Sequence, residues 1–314
     1  MSGMTGVDLS ELTEAHARRL FAVDRLLPVP AIPQSDDGDE LFGVEVDGTV
    51  AVGVARNVDL DPDSMGATVG ALRQHRLAVQ ISGPAADRAV DLLLTEWDAY
   101  LIKAARHGDP DSAAVIDWPS RDTAAVGALT RHGFTAAGVC AVRPGGRPTH
   151  SFADVRIRAA KAADLDVAAG FHLDLIDYDA QFGLLTRRAG TPARVRTGMT
   201  AAIDRPRTGV WLAERAGEPV GLISVAYPDE TARAARLVSA ESIGFVDCMY
   251  VRPDVRGGGI GSALVRWGHL ALDDAGVEVT MLYHALPNPR STPFWYSHGY
   301  RPLWTIWQRR PVIR

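Results

Sequence analysis

A chain of 314 residues exceeds one ordinary domain, and its 46% apolar content is ample for two buried cores. A net charge of −5 without runs of Lys or Arg leaves no basic footprint for nucleic acid or an anionic membrane surface. Cys140 and Cys248 sit in apolar strand-like runs rather than at paired spacings, which argues against a disulfide framework or a cysteine zinc site, suggests no metal, and fits a reducing cytoplasm. The N-terminus MSGMTGVDLSELTEAHARRL has no continuous apolar core, and no later run is long enough to span a bilayer, so a soluble, unprocessed protein is expected.

In chain order, residues 41–57 alternate around Asp47-Gly48 and predict a hairpin; a long helix follows over 85–107. Trp118-Pro119 then leads through a helical stretch to Arg131-His132-Gly133-Phe134. Residues 143–151 (RPGGRPTHS) combine Pro and Gly with no apolar period, which places a boundary between domains 1–148 and 149–314. The second half reads as strand 153–158, helix 165–178, a variable segment to 207, hairpin 209–227 turning at Ala216-Gly217-Glu218-Pro219, and strand 243–251. Helix 261–275, strand 277–285, helix 289–298 and strand 300–309 complete it. Residues 159–163 offer no capping oxygen, so Asp164 is the expected N-cap of the first of these helices, with Val167, Phe171, Leu173 and Ile176 on its apolar face. Leu286-Pro287 leads to Ser297-His298-Gly299-Tyr300 much as Trp118-Pro119 leads to Phe134, a weak internal repeat. The fold class is mixed α/β.

The richest stretch is Val251-Arg-Pro-Asp-Val-Arg256-Gly257-Gly258-Gly259-Ile260-Gly261-Ser262, where an apolar strand reaches bare backbone amides that open into a helix. Main chain without Cβ atoms can approach an anion closely, and the helix start turns its unpaired N–H groups and positive dipole end toward it. Arg256 adds a cation. A P-loop would need a Lys after the glycines and has none here; a Rossmann turn would place its first glycine at the strand end, whereas residues 252–256 intervene and the flanking elements are hairpins.

With the order of elements around it, Arg256-x-x-Gly259-x-Gly261 after Val251-x-Pro253 resembles the GNAT superfamily of N-acetyltransferases over residues 155–311. The resemblance implies a central mixed, mostly antiparallel sheet flanked by helices, and acetyl-CoA or another acyl-CoA as donor. It assigns the pyrophosphate to Arg256, Gly257, Gly258, Gly259, Ile260, Gly261 and Ser262, and the pantetheine arm to the backbone of Met249, Tyr250 and Val251. The family's N-x-x-A-x-x-F-Y-x-x-x-G-F element is kept in part as Asn288-x-x-Ser291-x-x-Phe294-Trp295-x-x-x-Gly299-Tyr300, which adds Asn288 to the donor site and puts Trp295 where the family has Tyr. Residues 41–143 resemble a degenerate copy, a tandem architecture similar to that of the mycothiol synthases. At its cradle position Ile81-Ser82-Gly83-Pro84-Ala85-Ala86-Asp87 has one glycine, a proline without N–H and an acid, so this copy is not expected to bind CoA.

Attack of an amine on a thioester needs the neutral amine, hence a base. Asp247, a carboxylate within an apolar strand and four residues before Val251, is the candidate; the alternative is a structural Asp accepting backbone amides at a bulge, with Glu241 as the reserve base. Tyr296, one residue beyond the family's Tyr position, is the candidate acid for the leaving sulfur, followed by Tyr283 and His284. Asp174, Asp177, Asp179, Tyr178 and Phe182 cluster where the family selects its acceptor, and acids with aromatics favour a cationic amine. No Cys or Ser stands in an activated context near the loop. The expected function is therefore transfer of acetyl from acetyl-CoA to a primary amine of a small molecule by direct attack in a ternary complex. A non-catalytic CoA-binding sensor and an interaction scaffold are the other readings.

Overall fold

The structure, a computed structural model, describes residues 7–36, 38–147, 155–232 and 234–313. The first described element, absent from the expected ones, is the helix α1 (Leu9–Val23), whose Asp8 carboxylate accepts the amides of Ser10 and Glu11 and so satisfies two of the donors a helix start leaves open. The alternating residues that follow form β1 (Glu40–Val46) and β2 (Thr49–Asp59). Their two-residue turn holds Asp47 and Gly48 at φ 48° and 68°, the left-handed pair that matches the twist of a hairpin. Next come β3 (Arg73–Ser82), α2 (Ala86–Ala104), β4 (Ser112–Pro119), α3 (Val126–Arg131) and β5 (Thr135–Pro144).

The second half runs β6 (Arg156–Ala159), α4 (Leu165–Asp179), α5 (Thr191–Ile203), β7 (Val210–Arg215), β8 (Glu218–Ala226), β9 (Ile243–Val251), α6 (Ile260–Asp274), β10 (Val279–Ala285), α7 (Ser291–Ser297) and β11 (Arg301–Arg309). From β7 onward the order of strands and helices repeats that from β1 to β5. The expected boundary at 148/149 lies outside the described residues. Asp164 stands at the N-cap position of α4 as expected, but its carboxylate makes no cap bond to the amides of that helix. Its carboxylate reaches back to accept the Lys161 amide at 2.8 Å and the Arg158 guanidinium, closing a short turn ahead of the helix.

Among the described residues all strands join one sheet of eleven, in the order β1-β2-β3-β4-β11-β5-β10-β9-β8-β7-β6. Only β3/β4 and β9/β10 run parallel; every other neighbouring pair is antiparallel. The last strand of each half lies beside the other half's strand: β5 pairs with β10, β11 pairs with β4, and β5 and β11 pair with each other. Alternation then sends successive side chains to opposite faces. On one face, Ile116, Trp118, Val139 and Ala141 pack under α2, α3, α6 and α7, with the fully buried Trp97 at the centre of the first core. The other face is covered by α1 over Cys140, Val142 and Met281, and by α4 and α5 over Leu212, Leu222, Cys248 and Tyr250. Among the described residues no helix is long and apolar enough to cross a membrane.

Candidate active site

The parallel pairing of β9 with β10 stops after three residues, Ile243–Phe245 opposite Val279–Met281. Beyond Phe245 the strands part, and the edge of β9 from Val246 to Val251 faces no strand. A bulge sits at the parting point: Ser224 of β8 is opposite Cys248 and the next residue, Val225, is opposite Val246, so Asp247 is the extra residue. The bulge also resets the alternation. Val246 and Met249, three apart, both pack on the α6 side, while Cys248 and Tyr250 face α4.

The wedge between the strands opens into a cavity of about 600 Å³ that runs from the start of α6 to the end of α4. Met249, Tyr250, Val251, Arg256, Gly257, Gly259, Ile260, Gly261, Ser262 and Asn288 all line it, as does Asp247. Two glycines of the loop are required by backbone conformation, Gly257 at φ 83° and Gly259 at φ 79°, the latter being the residue that enters α6. Gly261 is favoured by packing instead, because a Cβ there would stand 3.2 Å from the Phe294 ring, which would have to shift by a few tenths of an ångström. Among the described residues nothing lies within 4 Å of a Cβ built on Gly257, and only the Val255 carbonyl, at 3.7 Å, on Gly258. The space a side chain would fill over these amides is therefore available to an anion.

Arg256 is held at the mouth of this loop, its Nε donating to the Val251 carbonyl at 2.8 Å and its guanidinium over the rings of Tyr250 and Tyr178 at 5.5 and 5.8 Å. Arg290 lies over the same Tyr178 ring at 5.9 Å. Neither arginine has a carboxylate partner among the described residues. Two uncompensated guanidiniums around helix-start amides suit a polyphosphate. Arg290 carries no sequence signal and was not anticipated. Tyr178 serves these cations rather than an acceptor ammonium, Phe182 packs edge-on against it at 5.3 Å, and Asp177 points outward to Arg187. Asp174 is exposed beside Tyr250.

Asn288 is buried with its amide committed at both ends. Nδ2 donates to Asp179 and Ser291, and Oδ1 accepts the amides of Arg290 and Ser291, so it starts α7 and ties it to the end of α4. Ser262 is on the wall with its hydroxyl 3.0 Å from His298 Nε2.

Asp247 has no hydrogen-bond partner among the described residues, so the bulge is present without the amide-accepting role considered for it. The side chain of Asp247 is exposed to the cavity, and the protein packed around that opening still pushes its carboxyl up to about 6 by desolvation; Arg205 opposes the shift but is itself paired to Glu230 at 2.5 Å. Asp179, also on the wall, is raised to about 6 by burial, against the hydrogen bond from Asn288. Glu241 is exposed ahead of β9, at the end away from the cavity, which removes it as a reserve base.

Tyr296 is not on the cavity wall; it packs edge-on against His284 with ring centroids 5.7 Å apart, and burial raises its hydroxyl. Trp295 takes the wall position, because the helix register does not shift, and an indole N–H cannot serve as an acid. Tyr283 and His284 do line the cavity. Tyr283 is 45% exposed, yet the protein around its hydroxyl, with Cys140 and Asp117 beside it, raises it above the phenol range; burial lowers His284, whose Nε2 has no hydrogen-bond partner among the described residues. Both cysteines are buried free thiols, Cys140 pushed up to about 12 by desolvation and Cys248 raised further, so neither is a nucleophile.

The corresponding region of the first half is filled. There, β3 and β4 also pair over a few residues only, Arg73–Arg76 with Ser112–Val115. The edge beyond is taken by α1, whose buried His16 accepts the Ile81 amide at 3.2 Å while Thr13 bonds Gln80. Burial lowers His16 to about 4, keeping it a neutral acceptor. At the start of α2, Thr49 Oγ1 accepts the Ala85 amide and a Cβ on Gly83 would stand 2.6 Å from Gly48 and Thr49. Asp87 is bound to Ala128 and Arg131.

Residues 181–300 match the sequence profile of the acetyltransferase (GNAT) family. A comparison with curated proteins finds no match. Among solved structures, a GCN5-related N-acetyltransferase from Sphaerobacter thermophilus is similar at 13% identity, with 85% of this chain and 81% of that one covered and a TM-score of 0.55. A GCN5-related N-acetyltransferase from Kribbella flavida matches at 13% identity over 97% of this chain and 95% of its own, with a TM-score of 0.44. An aminoglycoside N-acetyltransferase solved in complex with CoA matches at 13% identity over 50% of this chain and 92% of its own, with a TM-score of 0.39. At such identity the first of these likenesses speaks to the fold alone.

Proposed function

We propose, from the match of residues 181–300 to the acetyltransferase (GNAT) family, that the protein is an acyl-CoA dependent N-acyltransferase, moving acetyl from acetyl-CoA to a primary amine of a small molecule by direct attack in a ternary complex. The observation that carries this reading is the wedge between β9 and β10, which joins a glycine cradle flanked by two uncompensated arginines to an uncommitted carboxyl at its apex. The amides at 257–261 with Arg256 and Arg290 hold the diphosphate, Ser262 and Ile260 start the helix behind it, and the open edge of β9 at Met249 to Val251 takes the amide-bearing arm. Asn288 keeps α7 and Asp179 in place around it.

Asp247 accepts the ammonium proton, directly or through a water, and the neutral nitrogen attacks the thioester carbonyl. The C–N bond forms, the C–S bond breaks, and the second proton that the nitrogen sheds as it becomes an amide neutralises the leaving thiolate. We assign the relay of that proton to Tyr283 or His284 rather than Tyr296, because they border the cavity and Tyr296 does not. The raised thiol values of Cys140 and Cys248 argue against an acyl-enzyme route. The first half does not bind CoA in this scheme, since α1 and Thr49 occupy the places a donor would need.

Thiol release from acetyl-CoA with a panel of amines tests turnover, and thermal shift with CoA tests binding. Stabilisation by CoA without thiol release for any amine would favour a sensor. Arg256→Glu is expected to lower CoA affinity at least tenfold, and unchanged affinity would end the assignment of the diphosphate to this loop.

A further inference from the structure

A second cavity, of about 670 Å³, lies on the sheet face under α4 and α5, between the two halves. It meets the donor cavity at the apex of the wedge, where Leu175, Asp179, Val246, Asp247, Tyr283 and His284 border both. The exchange of β11 and β5 makes it possible: β4 and β11 are brought next to β5 and β10, so Val115 and Ile306 face Met199 and Phe245 across one space, and Val69 closes the outer end.

The walls are mostly aliphatic, and their charges cancel locally. Arg76 is paired to Asp117 and Arg205 to Glu230, each at 2.5 Å. His172 is lowered to about 4 by burial and is neutral. Gln308 donates to the Gly183 carbonyl and Gln74 to that of Ala71. What remains uncompensated is acidic and lies at the inner end, Asp247 with the half-buried Asp179 beside Asn288. An apolar chamber closed by carboxyls accommodates one positive charge there and strands any charge placed elsewhere against aliphatic surface.

We propose that this cavity is the acceptor site and that the acceptor is a monoamine carried on an apolar body, an alkyl- or arylalkylamine, with its amino group at Asp247 and its body between the two halves. Polyamines, aminoglycosides and amino acids are disfavoured because each brings a further charge to the aliphatic walls. The assignment rests on the acyltransferase reading for the chemistry, though not for the binding.

The test uses the full chain with acetyl-CoA and n-propyl- to n-octylamine, phenethylamine, spermidine and kanamycin. kcat/KM is expected to rise about fourfold per added methylene until the cavity is full, with spermidine and kanamycin at least 100-fold below octylamine. A flat or falling series, or preference for the polycations, overturns the proposal. Octylamine binding is measured separately by calorimetry. Val69→Trp at the exposed outer end and Ala113→Met on β4 should each weaken it at least tenfold with CoA affinity unchanged. If no amine is acetylated but octylamine binds and the variants weaken it, the site stands and the transferase reading falls; absence of octylamine binding overturns the site itself.

Discussion

Replacing Asp247 by Asn should cost activity and add stability. Within the wedge the carboxyl is pushed up to about 6 from the ordinary 3.8, because the surrounding protein disfavours its charge even though the side chain opens to the cavity. An acid whose folded value is raised binds more protons when folded, so stability falls as pH rises from about 3.8 to about 6, and the penalty persists above that window. Two pH units correspond to about 3 kcal/mol, but solvent reaches this group through the cavity, which reduces the penalty to about 1 kcal/mol. Asp247→Asn removes it, and Tm at pH 7.5 should rise by about 1–2 °C. Loss of the base should lower kcat/KM by about 10²–10⁴. In the parent protein log kcat/KM should climb with unit slope to about pH 6 and then level, and that limb should vanish in the variant. The acceptor amine titrates at higher pH and contributes the same to both. Asp179 also titrates near 6, so Asp179→Asn, which leaves an oxygen for Asn288, is the control. Activity within threefold of the parent together with an intact acidic limb in Asp247→Asn would refute the reasoning, and loss of the limb in Asp179→Asn alone would move the base there.

Gly259→Ala places a Cβ on a residue at φ 79° and should cost about 1–2 kcal/mol, with weaker CoA binding, by urea unfolding and thermal shift. His16 is a base lowered to about 4, so the unfolded chain binds its proton first as pH falls; its contribution is whole above 6.5 and lost between 6.5 and 4, up to about 3 kcal/mol. His16→Gln, which keeps an acceptor that does not titrate, should flatten the stability–pH slope in that window, measured by urea unfolding between pH 5 and 7.5. Native protein should resist iodoacetamide at both cysteines, and Cys248→Ala should keep kcat within threefold, since each thiol is buried and raised; rapid alkylation with loss of activity would contradict this.

What the sequence shows of this molecule is what depends on neighbours along the chain. The Asp47-Gly48 turn, the periodic faces of α4 and α6 and the glycines between β9 and α6 are local, and each is where its pattern puts it. The helix α1 had a legible signal in Asp8 with Leu12, His16 and Leu20 at helical spacing, yet its purpose, to occupy the edge of β3, depends on a residue far along the chain. The bulge at Asp247 needs the register of β8, and Arg290 is placed by a contact with Tyr178 that no spacing announces. The tyrosine at 296 was a reasonable choice by chemistry and is turned away by helix phase alone.

The crossing of the two final strands ties the halves together as clasped hands are tied. A ribosome that has released only β1 to β5 holds a strand whose neighbours on both sides, β10 and β11, do not yet exist. The early sheet must wait with open hydrogen-bonding edges until the last nine residues of strand, Arg301–Arg309, arrive. Expressed apart, the halves should cling to other chains rather than stand as separate globules, and a protease cut between them should leave the two pieces together under native conditions.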